Sequence, residues 1–94
     1  MFEIERSTNG TVYLHGRFDA AEVERAREVF DQVAESCIID FAELNYISSA
    51  GLGLLFAIQK RLVDSGGALT LINLNPHIRE IFQIAGFDNI FKIG

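Results

Sequence analysis

The sequence predicts an α/β domain with a mixed β-sheet and helices packed against it, in the order β-β-α-β-α-β-α-β over residues 1–94. Three observations carry that reading. Apolar and polar residues alternate on both sides of an Asn9-Gly10 turn signal, as in an antiparallel hairpin. Beyond it, short apolar runs alternate with segments whose apolar residues recur every three or four positions, which is the pattern of strand-helix-strand crossovers. Finally, 94 residues that are 49% hydrophobic and 22% charged supply one core, leave no room for a second domain and do not have a disordered composition.

Phe2-Glu3-Ile4-Glu5-Arg6 and Thr11-Val12-Tyr13-Leu14-His15 form the hairpin strands. Asp19, followed three residues on by Glu22, has the capping-box spacing and starts a helix near Ala20. Val23, Ala26, Phe30 and Val33 are its packed face. Cys37-Ile38-Ile39-Asp40 is an unalternating apolar run, which suits a central strand covered on both faces. Phe41 to Ile47 has no clean period and is expected to be a loop.

A second helix runs from Ala50 to about Asp64 with Leu54, Leu55, Ile58 and Leu62 inward, while Leu52, Phe56 and Val63 widen its apolar arc. Ser65-Gly66-Gly67 ends it, and Ala68 to Asn73 is the next strand. Asn75-Pro76 caps a third helix carrying Ile78, Ile81, Phe82 and Ala85, closed at Gly86 with Phe87 able to fold back on Phe82. Asn89 to Ile93 supplies the last strand.

Thirteen acidic residues against eight basic ones give a net charge of −5, which argues against a phosphate-backbone footprint and so against direct nucleic-acid binding. The longest apolar run, Leu54 to Ile58, falls far short of the roughly 20 residues that span a bilayer, so no membrane insertion is expected. The N-terminus lacks the pattern of a secretion signal. The lone Cys37, in an apolar run, reads as a buried thiol in a reducing cytoplasm.

Few residues could carry chemistry. Gly51-Leu52-Gly53 supplies two glycines of a dinucleotide fingerprint, but the third position is Phe56 and no phosphate-loop lysine follows, so no nucleotide cofactor is expected. His15 and His77 have no Cys or second His at ligand spacing, so no metal is expected either. Ser49 lacks the elbow of a hydrolase nucleophile, and no catalytic residue is assigned.

There remain Ser48 and Ser49 at a helix start. A serine there either caps free N–H groups or accepts a phosphoryl group, whose charge a helix N-terminus favours. Both readings stay open on the residues alone. Gly51 and Gly53 would keep the neighbouring surface low for another protein.

Three segments together resemble the STAS domain family, in its anti-sigma factor antagonist type: Gly16-Arg17-Phe18-Asp19-Ala20, Ile38-Ile39-Asp40-Phe41 and Tyr46-Ile47-Ser48-Ser49-Ala50-Gly51-Leu52. The tail from Pro76 to Phe87 is similar to the family's closing helix. The third segment is the specific one. In the family it commonly reads D-S-S/A-G-L with the phosphorylated serine two residues before the glycine, which makes Ser49 the implied acceptor and Ser48 the alternative hydroxyl. Where the family often has Asp, this chain has Ser48.

The resemblance implies a cytoplasmic, non-enzymatic binding module. Unphosphorylated, it would bind a GHKL-type serine kinase anti-sigma factor and release the sigma factor; a cognate phosphatase would reset it. A STAS subunit docked on the ATPase of a lipid transport system is the alternative. The expected partner surface takes in the end of the hairpin, Asp19, Ser48, Ser49 and Gly51, with Leu52 and Phe56 on an exposed rim of the second helix; a wider buried face is the competing account of those two apolar residues.

Overall fold

The computed structural model describes residues 1–94. Strands β1 (Phe2–Arg6) and β2 (Val12–Phe18) form the hairpin, with Gly10 in the left-handed region at φ +89° to turn the chain. A single 3-10 turn, Ala20–Glu22, leads into α1 (Val23–Phe30). Then follow β3 (Cys37–Ile47), α2 (Ser49–Asp64), β4 (Leu69–Ile72), α3 (Pro76–Ile84) and β5 (Lys92–Ile93).

The sheet order is β1-β2-β3-β4-β5, antiparallel at the hairpin and parallel from β2 onward. Each parallel strand is added beside the one before it. Right-handed crossovers taken in one direction therefore set all three helices on the same face. Burial follows that asymmetry: Val12, Leu14, Phe18, Ile39, Phe41, Leu69 and Leu71 are buried, whereas Ile38 is 42% exposed. The expectation that the β3 run is covered on both faces is thus corrected, since its second face is open.

The expected loop from Phe41 to Ile47 is the second half of β3. Between Tyr13↔Asp40 and His15↔Glu43 the ladder takes two residues of β2 but three of β3, and between Gly16↔Leu44 and Arg17↔Tyr46 one against two. Each bulge inserts a residue and shifts the phase. The inward set therefore runs Cys37, Ile39, Phe41, Leu44, Ile47, a strand without a constant period of two.

Two helix ends match their sequence signals. Asn75 accepts the Ile78 N–H at 2.8 Å with Pro76 following, and Gly86, at φ +75°, lets the Phe87 N–H reach the Phe82 carbonyl at 2.8 Å. The capping box at Asp19 does not form: its side chain makes no cap hydrogen bond, and the α-helix starts at Val23. The last strand is also shorter than expected. The Ile90 carbonyl accepts from Gln59 Nε2 at 2.8 Å, while Gln59 Oε1 accepts the Leu69 N–H at 2.7 Å. One buried amide thus joins α2, β4 and the turn before β5.

The core is rich in phenylalanine. Phe2 stacks on Phe18 at 4.7 Å, and Phe82 meets Phe41 and Phe91 edge-on at 5.9 and 5.6 Å. Cys37 is buried as expected, and burial pushes its thiol above the ordinary value, although Arg6 and a backbone hydrogen bond pull it back in part.

Candidate functional site

Strands β2 and β3 finish level, with Phe18 opposite Ile47, and the Ser48 N–H donates to the Phe18 carbonyl at 2.9 Å. That bond extends the ladder one step past the strand ends. It sets Asp19 beside Ser48 at the carboxyl end of two parallel strands, where open α/β sheets place their functional sites. The first turn of α2 stands directly on this edge. A Cβ on Gly51 would lie 3.0 Å from Ile47 Cγ1 and 3.3 Å from the Phe18 ring, so any larger residue would have to push these side chains back for the helix to start this close to the strands.

The two serines are separated by this geometry. Ser48 is the N-cap, in extended backbone, and its Oγ accepts the Gly51 N–H at 3.1 Å. Ser49 is the first residue of the helix, is exposed, and makes no side-chain hydrogen bond within the chain. One hydroxyl is engaged and half-buried; its neighbour is free, at the positive end of a helix of 16 residues.

Ser49, Gly53 and Phe56 follow at i, i+4 and i+7 and so share one stripe of α2. A Cβ on Gly53 would meet nothing within 4 Å, which leaves a low shelf between the hydroxyl and the ring. Phe56 is 40% exposed and stacks on Phe87 at 5.6 Å with an interplanar angle of 20°. At the other side of the helix start lies Asp19, half-buried, with Oδ1 enclosed and without a hydrogen-bond partner.

Of the residues expected on the partner surface, Asp19, Ser48, Ser49 and Phe56 lie at this end of the molecule or along the α2 stripe. Gly51 and Leu52 do not belong to it. Gly51 is buried against the strand ends, and Leu52, at 7% exposure, is a core residue, so the exposed rim is corrected to Gly53 and Phe56. Sequence reasoning missed Phe87 as the partner of the Phe56 ring. No local pattern announces a contact between residues 31 positions apart, although an aromatic just past a helix-ending glycine is a usable signal.

No three His, Cys, Asp or Glu side chains gather in a way that could hold a metal ion. His15 lies on β2 with Nε2 3.7 Å from Glu5, and His77 is exposed in the first turn of α3. The largest cleft, about 500 Å³, is lined by Arg6, Thr11, Ser36, Cys37 and Gly67 at the opposite, amino end of the parallel strands and has no part in the Ser49 end.

The chain is similar to known proteins. The chain is 42% identical over 72 residues to the candidate anti-sigma factor antagonist BtrV of Bordetella bronchiseptica, covering 77% of this chain and 61% of that protein, so it spans less than two thirds of that relative. It is 30% identical over 94 residues to the anti-sigma-B factor antagonist of Listeria monocytogenes, covering 95% of this chain and 82% of that one. Its fold matches the solved structure of the Bacillus cell fate determinant SpoIIAA in the phosphorylated form with a TM-score of 0.71 and 26% identity, over 100% of this chain and 91% of the other. Residues 3–94 match the profile of the STAS domain, and with a five-stranded mixed sheet, three helices and a serine pair opening α2, the chain belongs to the STAS domain family.

Proposed function

We propose that this chain is an anti-sigma factor antagonist whose binding is switched by phosphorylation of Ser49. Unphosphorylated, it binds a serine kinase anti-sigma factor of the GHKL type in the cytoplasm and frees the sigma factor. Once Ser49 carries a phosphoryl group, binding is lost until a phosphatase removes it. The protein itself turns over no substrate.

One observation carries the reading: of two adjacent hydroxyls at the α2 start, Ser48 is held in the cap while Ser49 is exposed and unengaged. The names of the Bordetella and Listeria relatives and the phosphorylated state of SpoIIAA support it. So does electrostatics. A phosphate at Ser49 adds about −1.5 to −2 charge, which the helix N-terminus tolerates within its own fold. A partner that had to bury that charge without a counter-ion would lose several kcal/mol, enough to dissolve a micromolar complex.

The test is incubation with the purified cognate anti-sigma factor and ATP, followed by phosphopeptide mapping and a binding measurement. Modification at Ser49 that abolishes binding is the expected result. Modification that persists in Ser49→Ala and vanishes in Ser48→Ala overturns the acceptor. Stable capture of a transport ATPase, with no effect of Ser49 substitutions, overturns the function.

A further inference from the structure

Exposed positions of α2 from its start to Ala57 are Ser49, Ala50, Gly53, Phe56 and Ala57, and none is charged; the first charge on this helix is Lys60. A solvated helix face ordinarily carries charge, whereas the centre of a protein interface is depleted of it and enriched in aromatic residues. The bare stripe ends in a ring that does not enter the core. Phe56 instead stacks on Phe87, which also meets Phe91 at 6.1 Å. Phe87 is fixed by backbone as well, through its N–H bond to Phe82 after the Gly86 turn. Three residues before it, Ile84 ends α3 with 80% of its surface exposed, more than any other large apolar residue except Met1.

We infer that the protein partner covers a surface running from Ser49 over Gly53 to the Phe56–Phe87 stack and Ile84, so that the end of α3 is part of the recognition surface together with the start of α2. The inference rests on the proposed function for the partner's identity, an anti-sigma factor. Continuity argues for that occupant: one uninterrupted stripe of α2 joins Phe56 to the acceptor hydroxyl, and a protein seated on Ser49 that follows the stripe arrives at the stack. A rigid aromatic pair needs no ordering on binding, which suits it as the anchor of such a contact. The surface is then in two parts, a charge-sensitive end at Ser49 and an apolar end at residues 84–87.

Amide spectra of the nitrogen-labelled protein, titrated with the purified anti-sigma factor, test this. Shifts at 49–57 together with 84–88 are expected, and Ile84→Asp, which replaces an exposed residue, should fold normally and bind at least tenfold more weakly. Phe87→Ala should weaken binding similarly, and if it unfolds, the titration and Ile84→Asp still decide. Shifts at 49–57 alone, with Ile84→Asp binding as wild type, overturn the extension and leave the proposed function standing. If Ser49→Asp binds as tightly as wild type, the proposed function itself fails. Shifts at 84–88 that appear on concentrating the protein by itself assign that end to a second copy and likewise overturn the inference.

Discussion

Ser48 Oγ accepts the N–H of Gly51 at 3.1 Å, and this single bond caps the start of α2 while the neighbouring Ser49 hydroxyl stays unengaged. The family pattern often has Asp at this position, and Asp is an equally good cap. The departure at Ser48 therefore keeps the capping role and removes a standing negative charge beside Ser49.

Ser48→Ala should cost about 1 kcal/mol, the usual loss of a cap, and lower Tm by roughly 4–8 °C for a domain of this size. Ser48→Asp should restore it. Thermal melts followed by circular dichroism check both, and the site of phosphorylation should remain Ser49 in each variant.

Ser49→Ala should melt within about 0.5 kcal/mol of wild type, because an exposed side chain without partners is removed. It should also bind the anti-sigma factor constitutively. Ser49→Asp should fold like wild type and lose most binding, although one carboxylate charge imitates a phosphate only in part. Amide spectra of the phosphorylated protein should change near Ser49 and not across the sheet.

The two glycines of α2 should respond with opposite signs. Gly51→Ala forces a methyl to within 3.0 Å of Ile47 and should cost about 1–3 kcal/mol by overpacking. Gly53→Ala enters open space and should stabilise by about 0.5–1 kcal/mol, because it replaces glycine in a helix interior. Urea titrations of the two variants make the comparison directly.

Gln59→Leu removes both hydrogen bonds that join α2 to Leu69 and Ile90, leaving the two backbone groups without partners. Each such loss costs about 1–3 kcal/mol when the group is buried. The variant should show early fraying of residues 90–93 in hydrogen exchange, ahead of global unfolding.

Burial raises the Cys37 thiol above its ordinary value in the folded chain. The native state therefore holds this proton at a pH where the unfolded chain has begun to lose it, and stability should fall as pH rises above about 9. Cys37→Ala should flatten that alkaline limb while lowering overall stability through the cavity it leaves.

Sequence patterns revealed the features whose cause is local. Asn9-Gly10, Asn75-Pro76, Gly66 and Gly86 each solve a turn or cap with their own backbone, so nothing distant can overrule them. Ser48 and Ser49 were found together, but their division of labour depends on where α2 begins, which the packing of Gly51 on Phe18 and Ile47 decides. The second half of β3 was hidden because two bulges erase its period, and the end of the chain because a buried amide on another helix holds the Ile90 carbonyl. At Asp19 the spacing rule was satisfied and the cap was not: the backbone is extended as at Ser48, but the side chain makes no cap hydrogen bond and the chain enters a 3-10 turn before α1. Leu52 and Phe56 both looked like surplus apolar residues; only tertiary packing, which covers Leu52 and leaves Phe56 exposed, separates them.

β3 is the longest strand and is hydrogen-bonded to a parallel neighbour on each side, so its amides should exchange with solvent only when the whole molecule opens. Ser48 follows it directly. The proposed mark at Ser49, two residues past the end of that strand, can therefore be written and erased without the protein passing through a partly unfolded state.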